Sequence, residues 1–333
     1  MAEPAIVWFR QDLRLADNPA LAAALETKRS LVLVYVLDDE TPGRWRMGGA
    51  SRWWLHKSLA SLNASIAKRG AALVLRRGRA DAEIGKLASE TGAKAVFWNR
   101  CYEPFAIKRD AALKEALTKA GVEARSFNAS LLFEPWEIKN KSGEPFKVFT
   151  PFWRACVQQG PSRSLLSKPK SIPSVGGVWS EALAEWNLLP TRPNWAAGFE
   201  PEWKPGEEGA AAGLTRFLET KLGAYAEARN QLAENATSRL SPHLHFGELS
   251  PLQIWSAAAE RPTAGKFLSE IGWREFSHNL LYHWPTLPEQ NWRDSFDGFP
   301  WANDAVALEA WRRGKTGYPV VDAAMRELWV TGY

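Results

Sequence analysis

Apolar, β-branched runs at residues 5–9 (AIVWF), 31–37 (LVLVYVL), 72–75 (ALVL) and 95–98 (AVFW) punctuate the first third of the chain, and 122–127 (VEARSF) repeats the pattern more weakly. Between them, 19–28, 51–69, 80–91 and 105–120 carry apolar positions at helical period, with Leu55, Leu59, Leu62 and Ile66 forming one stripe. Strands that are apolar throughout, alternating with helices, predict a parallel sheet covered on both faces. Asn18 and Pro19 supply an N-cap and a first helical position, so the first helix is expected straight after the first strand's loop. Ligands of such sheets sit at the carboxyl ends of the strands. Residues 8–18 (WFRQDLRLADN) nevertheless contain no glycine, so the usual dinucleotide fingerprint is absent.

From about 131 to 205 the pattern decays into Pro, Gly, Ser and Trp, which predicts a long connection with few packing signals. Beyond 206 the strands stop, and helical patterns cover 208–221, 223–234, 251–260, 264–281, 303–313 and 319–330. The expected division is an α/β domain over 1–130, an interdomain linker over 131–205 and an all-helical domain over 206–333, with Gly332 as the last helix's C-cap.

Composition narrows the classes. With 333 residues, 45% apolar and 24% charged, the chain is long enough for two globular domains. No apolar run approaches a membrane span, and the N-terminus has no basic region ahead of its apolar segment. Cys101 and Cys156 stand far apart, which suggests neither a zinc site nor a disulfide framework and fits a reducing cytoplasm. A net charge of +5 permits a polyanionic partner without demanding one. The 18 Trp residues suggest stacking surfaces or electron relays as well as core, with a Trp-rich core accounting for most of them.

Chemistry concentrates in 267–279 (FLSEIGWREFSHN), where helical spacing puts Glu270, Trp273 and Arg274 on one face. A carboxylate can accept the imide N–H of a pyrimidine, an indole can stack on the ring, and a guanidinium can hold a phosphate or an electron-rich ring. The plain alternative is a Glu270–Arg274 ion pair beside a core Trp. Residues 237–241 (TSRLS) place hydroxyls and a guanidinium near a helix start, which makes either a phosphate cradle or simple N-capping by Thr237 or Ser241. Tyr225 can add a phenol to the same pocket. His243 and His245 have no partner at metal-ligand spacing, and no serine-hydrolase elbow occurs.

Five ordered stretches, 8–21 (WFRQDLRLADNPAL), 147–154 (KVFTPFWR), 237–251 (TSRLSPHLHFGELSP), 270–276 (EIGWREF) and 311–326 (WRRGKTGYPVVDAAMR), closely resemble the signatures of the DNA photolyase and cryptochrome family. The resemblance implies a Rossmann-like antenna domain followed by a helical domain that holds FAD. It implies light-dependent repair of cyclobutane pyrimidine dimers in DNA by an electron from photoexcited reduced FAD, in a monomer. By motif, Tyr225, Thr237, Ser238, Arg239, Leu240, Ser241, Phe267 and Arg274 would hold the flavin; Glu270 and Trp273 would meet the flipped dimer; Arg229 would meet DNA phosphate; and Trp311 would be the outermost relay tryptophan.

Residues 44–54 (RWRMGGASRWW) and 98–103 (WNRCYE) would line an antenna pocket, for methenyltetrahydrofolate in preference to a deazaflavin. Family members continue beyond the position of Tyr333, so the resemblance implies a C-terminally truncated chain with a weakened flavin site. A cryptochrome-type photoreceptor is the alternative function, disfavoured by the presence of both Glu270 and Trp273. An electron-transfer flavoprotein relative is disfavoured by 237–251 and 270–276.

Overall fold

The computed structural model describes residues 3–333. Five parallel strands, β1 (Ala5–Phe9), β2 (Leu31–Leu37), β3 (Leu73–Arg77), β4 (Ala95–Asn99) and β5 (Glu123–Phe127), form one sheet in the order β3-β2-β1-β4-β5. Central β1 aligns Ala5 with Leu31 on one side and with Ala95 on the other. Alternate residues face opposite layers. Val7, Phe9 and Leu33 pack with Leu21 of α1 (Pro19–Glu26) and Leu55 and Leu59 of α2 (Gly49–Ala67). Ile6, Trp8 and Val34 pack with Ile84 of α3 (Ala80–Thr91) and Leu113 of α4 (Pro104–Lys119). The Asn18 side chain accepts the Leu21 N–H at 3.1 Å, the expected cap of α1. The weakly patterned β5 is an edge strand with Glu123 and Arg125 exposed, which is why its apolar signal is poor.

The stretch 131–205 departs from the expected loose connection. It contains α5 (Phe149–Gln159), and Ile172, Trp186, Leu188, Ala196 and Phe199 are buried in the same core as β1 and α2. Backbone bonds fasten it further: Leu31 donates to Pro173 at 2.8 Å, and Val175 donates back to Leu31 at 3.0 Å. Its apolar residues fill separate gaps at irregular intervals, so no periodicity betrays them.

The helical part comprises α6 (Glu207–Thr220), α7 (Tyr225–Ala228), α8 (Ser241–His245), α9 (Pro251–Ala258), α10 (Gly265–His283), α11 (Ala305–Arg312) and α12 (Pro319–Thr331). The helix expected over 223–234 shrinks to a 3₁₀ turn and the four-residue α7, because 230–235 are exposed and bury no face that could sustain a helix. Gly332 ends α12 in the left-handed conformation, φ 75°, as expected.

Two close contacts bring the α/β layer against the helices. Gly247, at φ 65°, lies so near the β1–α1 loop that a Cβ there would sit 2.0 Å from the Gln11 carbonyl oxygen. Beside it, fully buried Glu248 accepts from the Trp54 indole N–H at 3.0 Å and the Gly206 N–H at 2.7 Å, and pairs with His243 Nδ1. His243 is therefore a fastening residue between the two parts.

Candidate functional site

One turn of helix separates Glu270 from Arg274 and another separates Arg274 from His278, so all three look into one cavity of about 490 Å³. Phe267 lies on the same face of α10, and Tyr225, the whole 237–241 segment and Tyr333 complete the lining. Nine of the twelve residues singled out from the sequence thus converge: Tyr225, Thr237, Ser238, Arg239, Leu240, Ser241, Phe267, Glu270 and Arg274. Phe267 is buried against Phe217, ring centroids 4.5 Å apart, and forms an apolar part of the wall.

The 237–241 segment is shaped by its backbone. Arg239 adopts φ 55°, a left-handed conformation uncommon for a side chain of that size. Its guanidinium turns to Glu202 at 2.9 Å and lies 4.6 Å from the Trp203 and Tyr333 ring centroids. The Arg239 side chain is therefore a brace on one wall, beside Thr237, Ser238 and Ser241 in the cavity lining. Thr237 and Tyr333 share a hydroxyl hydrogen bond of 2.7 Å. N-capping does not explain the hydroxyls, since the position before α8 is Leu240 and no side chain caps it.

Electrostatics distinguish the carboxylates of α10. Partial burial opposes ionisation of Glu270, but ion pairs with Arg229 and with Lys266 (3.1 Å) outweigh it and hold the carboxyl below the usual range. Glu275 points the other way into full burial, which pushes it up to about 7 against the pull of Arg274 and of the Leu132 and Phe133 N–H groups it accepts. Arg274 is packed in protein on most sides, which lowers its affinity for a proton, and it donates to the Ser130 carbonyl at 2.6 Å. His278, desolvated and beside Arg274, is pushed down to about 4 and stays neutral. The simple Glu270–Arg274 ion pair is therefore not formed.

Trp273, Arg229 and Trp311 stand outside the cavity lining. Trp273 is 45% exposed on the adjacent face of α10, stacked on Phe149 of α5 at 3.8 Å. It is not a core tryptophan. Trp311, 47% exposed on α11, is a surface residue.

A larger cavity of about 730 Å³ opens at the carboxyl ends of the strands, lined by Trp8, Tyr35 and Cys101 together with Trp45, Met47 and Phe246. It uses part of both stretches expected there. Trp53 and Trp54, however, are buried in the core and cannot stack on a ligand. Gln11, Glu103 and His245 line both cavities, so a single layer of side chains divides them. Gln11 donates to Glu103 Oε1 at 2.8 Å, and Glu103 Oε2 is buried without a partner.

Sequence reasoning missed Gln11, Glu103, His245, His278 and Tyr333 as lining of the smaller cavity. Extending the spacing from Glu270 by two turns would have found His278, and one turn from Ser241 along α8 would have found His245; Gln11, Glu103 and Tyr333 come from segments that meet the cavity only in three dimensions.

Family comparisons agree with this geometry. Residues 5–173 match the DNA photolyase family and 267–333 match the FAD binding domain of DNA photolyase. A deoxyribodipyrimidine photo-lyase of Agrobacterium fabrum is 47% identical over 99% of this chain and 70% of its own length. The chain belongs to the DNA photolyase and cryptochrome family. The crystal structure of a bacterial class III photolyase from Agrobacterium tumefaciens superimposes with a TM-score of 0.95 at 46% identity, over 100% of this chain and 70% of that one. Cryptochrome-1 of Arabidopsis thaliana is 38% identical over 98% of this chain and 50% of its own length. The fold expected from the sequence, a parallel α/β layer followed by helices, is the fold of this photolyase family.

The residues present fit the FAD that the family's domain binds. The smaller cavity combines a hydroxyl-rich, left-handed backbone turn suited to phosphates, a partly buried cation at Arg274 and the apolar Phe267 wall. Among the described residues no group of three His, Cys, Asp or Glu converges as a metal site, and no helix is long and apolar enough to cross a membrane.

Proposed function

We propose that the chain carries out light-dependent repair of cyclobutane pyrimidine dimers in DNA, with FAD in the smaller cavity and the lesion at its Glu270 rim. The observation that carries this reading is the placement, on one helix, of an ionised carboxylate at the cavity edge beside an exposed, rigidly stacked indole. A sensor that never touches a lesion needs neither group, which favours repair over the cryptochrome reading.

When bound, reduced and photoexcited FAD supplies the electron that splits the dimer. The chain's residues do the rest. Tyr225, Thr237, Ser238, Ser241 and the backbone at Arg239 and Leu240 bind the dinucleotide. Arg274 and Phe267 border the ring. Glu270 accepts an imide N–H of the flipped base, Trp273 stacks on it, and Arg229 meets a phosphate. A dimer stacks poorly in the duplex, so flipping it costs less than flipping an ordinary base. Trp311, at the surface, serves as the outer end of an electron relay.

The larger cavity suits a planar antenna chromophore, methenyltetrahydrofolate by preference over a deazaflavin, with the exposed Trp45 as ring neighbour. We place the protein in the cytoplasm as a monomer, with the 1–130 and 206–333 units joined by 131–205.

The test is binding of a duplex carrying one thymine dimer against the same duplex undamaged. Glu270→Ala is expected to weaken the damaged duplex selectively, by about 1–3 kcal/mol, because a buried donor loses its acceptor. Arg229→Ala is expected to weaken both duplexes alike and flatten the salt dependence. Equal losses on both duplexes for Glu270→Ala would contradict the lesion site.

A further inference from the structure

The lining of the smaller cavity is not uniform in its hydrogen-bonding sense. Thr237, Ser238 and Ser241 stand beside the left-handed turn at Arg239, a lining suited to phosphate. Next to the wall shared with the larger cavity, the unpaired atoms are acceptors instead. His278 carries the chief of them.

Nδ1 of His278 stands 2.9 Å from the carbonyl oxygen of Arg274, one turn back on α10. A carbonyl oxygen only accepts, so Nδ1 bears the proton, and a neutral imidazole then has none on Nε2. Desolvation above all, and Arg274 next, keep the ring neutral; the bond to the Arg274 carbonyl and Glu103 of the β4–α4 loop pull the other way, and His245 of α8 adds to the lowering. Tyr102, from the same loop as Glu103, meets the imidazole edge-on, with centroids 6.3 Å apart and planes at 90°. Tautomer and ring orientation are both constrained.

Among the described residues nothing donates to Nε2, yet the atom is not sealed inside the protein, and His278 lines the cavity. Gln11 repeats the arrangement on a smaller scale. Its amide N–H donates to Glu103 Oε1 at 2.8 Å, which leaves its own carbonyl oxygen unpaired at the shared wall. A phosphate, which offers only acceptors, gains nothing from these atoms. A heteroaromatic ring with an N–H does.

We propose that His278 is a specificity-determining residue of this cavity, accepting at Nε2 one ring N–H of the bound dinucleotide. The inference deepens the flavin reading of the cavity and rests on it. Two rings of FAD offer such a hydrogen: the imide of the isoalloxazine and the exocyclic amine of adenine. A ring that turns a carbonyl toward Nε2 meets a second lone pair and is rejected.

Two measurements on the full chain test it. The first compares binding of FAD, 3-methyl-FAD, which lacks the imide hydrogen, and flavin purine dinucleotide, which lacks the amine. His278→Phe keeps an aromatic ring for Tyr102 but has no acceptor. It is expected to weaken FAD about tenfold, while the analogue already missing the hydrogen read by His278 is weakened no further. That analogue identifies the ring. His278→Gln, which restores an acceptor, is expected to recover part of the loss. FAD bound by His278→Phe as tightly as by the native chain, or an equal loss for all three ligands, overturns the assignment. A native chain that FAD does not saturate would instead overturn the flavin reading.

The second measurement needs only the native fold. The nitrogen-15 imidazole spectrum, with His278 assigned by its absence in His278→Gln, is expected to show the proton on Nδ1 and an Nε2 signal that moves when FAD is added. A proton on Nε2, or an Nε2 signal unmoved at saturation, overturns the proposal.

Discussion

The indole of Trp273 lies on the ring of Phe149 with centroids 3.8 Å apart and planes 10° from parallel. One face of the exposed indole is therefore taken by α5, and much of the rest of the ring stays open. Phe276 adds an edge contact at 5.9 Å. Phe149→Leu keeps an apolar side chain but removes the stacked ring, so the indole regains rotamer freedom. The expected outcome is a dimer preference reduced about three- to tenfold, from loss of an aromatic pair contributing about 0.5–1.5 kcal/mol, with undamaged DNA little affected. Competition binding checks it.

Glu275 gives a pH signature. Its folded-state pKa, about 7, lies above the value of an exposed glutamate, so the folded chain holds a proton that the unfolded chain has lost. Its contribution to stability is fully present below about pH 4.5 and is lost as pH rises through 7. Glu275→Gln keeps an acceptor for the Leu132 and Phe133 N–H groups and cannot ionise. The stability of the native chain relative to this variant is expected to fall by on the order of 2 kcal/mol between pH 5 and pH 8. Urea unfolding of both chains across that range measures the difference and cancels other titrating groups, His278 among them.

Glu248 fastens the α/β layer to the helices through Trp54, Gly206 and His243. Glu248→Ala would leave buried donors without an acceptor. The expected cost is about 3 kcal/mol, seen as a lower unfolding midpoint.

Gly272 lies against α5, where a Cβ would stand 2.4 Å from the Trp153 ring. Gly272→Ala would push α5 off α10 and with it the Phe149 support of Trp273. A loss of about 1–3 kcal/mol in stability is expected despite the gain in helix propensity. Trp153→Leu in the same chain should recover part of it.

The sheet was legible because β1 and β2 are apolar along their whole length and β3 and β4 over most of theirs, and the stripe from Leu55 to Ile66 repeats at helical period. The smaller cavity was legible where its residues sit close in sequence, at 237–241 and along one face of α10. What escaped notice is nonlocal. Gln11 and Glu103 reach the cavity because Gly247 lets the helical part approach the β1–α1 loop, and nothing in their own neighbourhoods signals it. The 131–205 stretch misled for a related reason: Trp186 and Phe199 are buried by partners far along the chain, without any repeat to announce them.

The hydroxyl-rich turn at 237–241 is the proposed seat of the diphosphate of a flavin dinucleotide. Ser241 faces the cavity and is exposed, so Ser241→Glu places a negative charge there without disturbing the core. The decisive measurement is titration of the native and Ser241→Glu chains with FAD and with riboflavin, read by flavin fluorescence. The prediction, whatever the absolute affinity, is saturable one-to-one FAD binding by the native chain, weakened at least about tenfold by Ser241→Glu through repulsion of the diphosphate. Binding of riboflavin, which has no phosphates, should be unchanged. Equal FAD affinity in the two chains would contradict the assignment of this cavity.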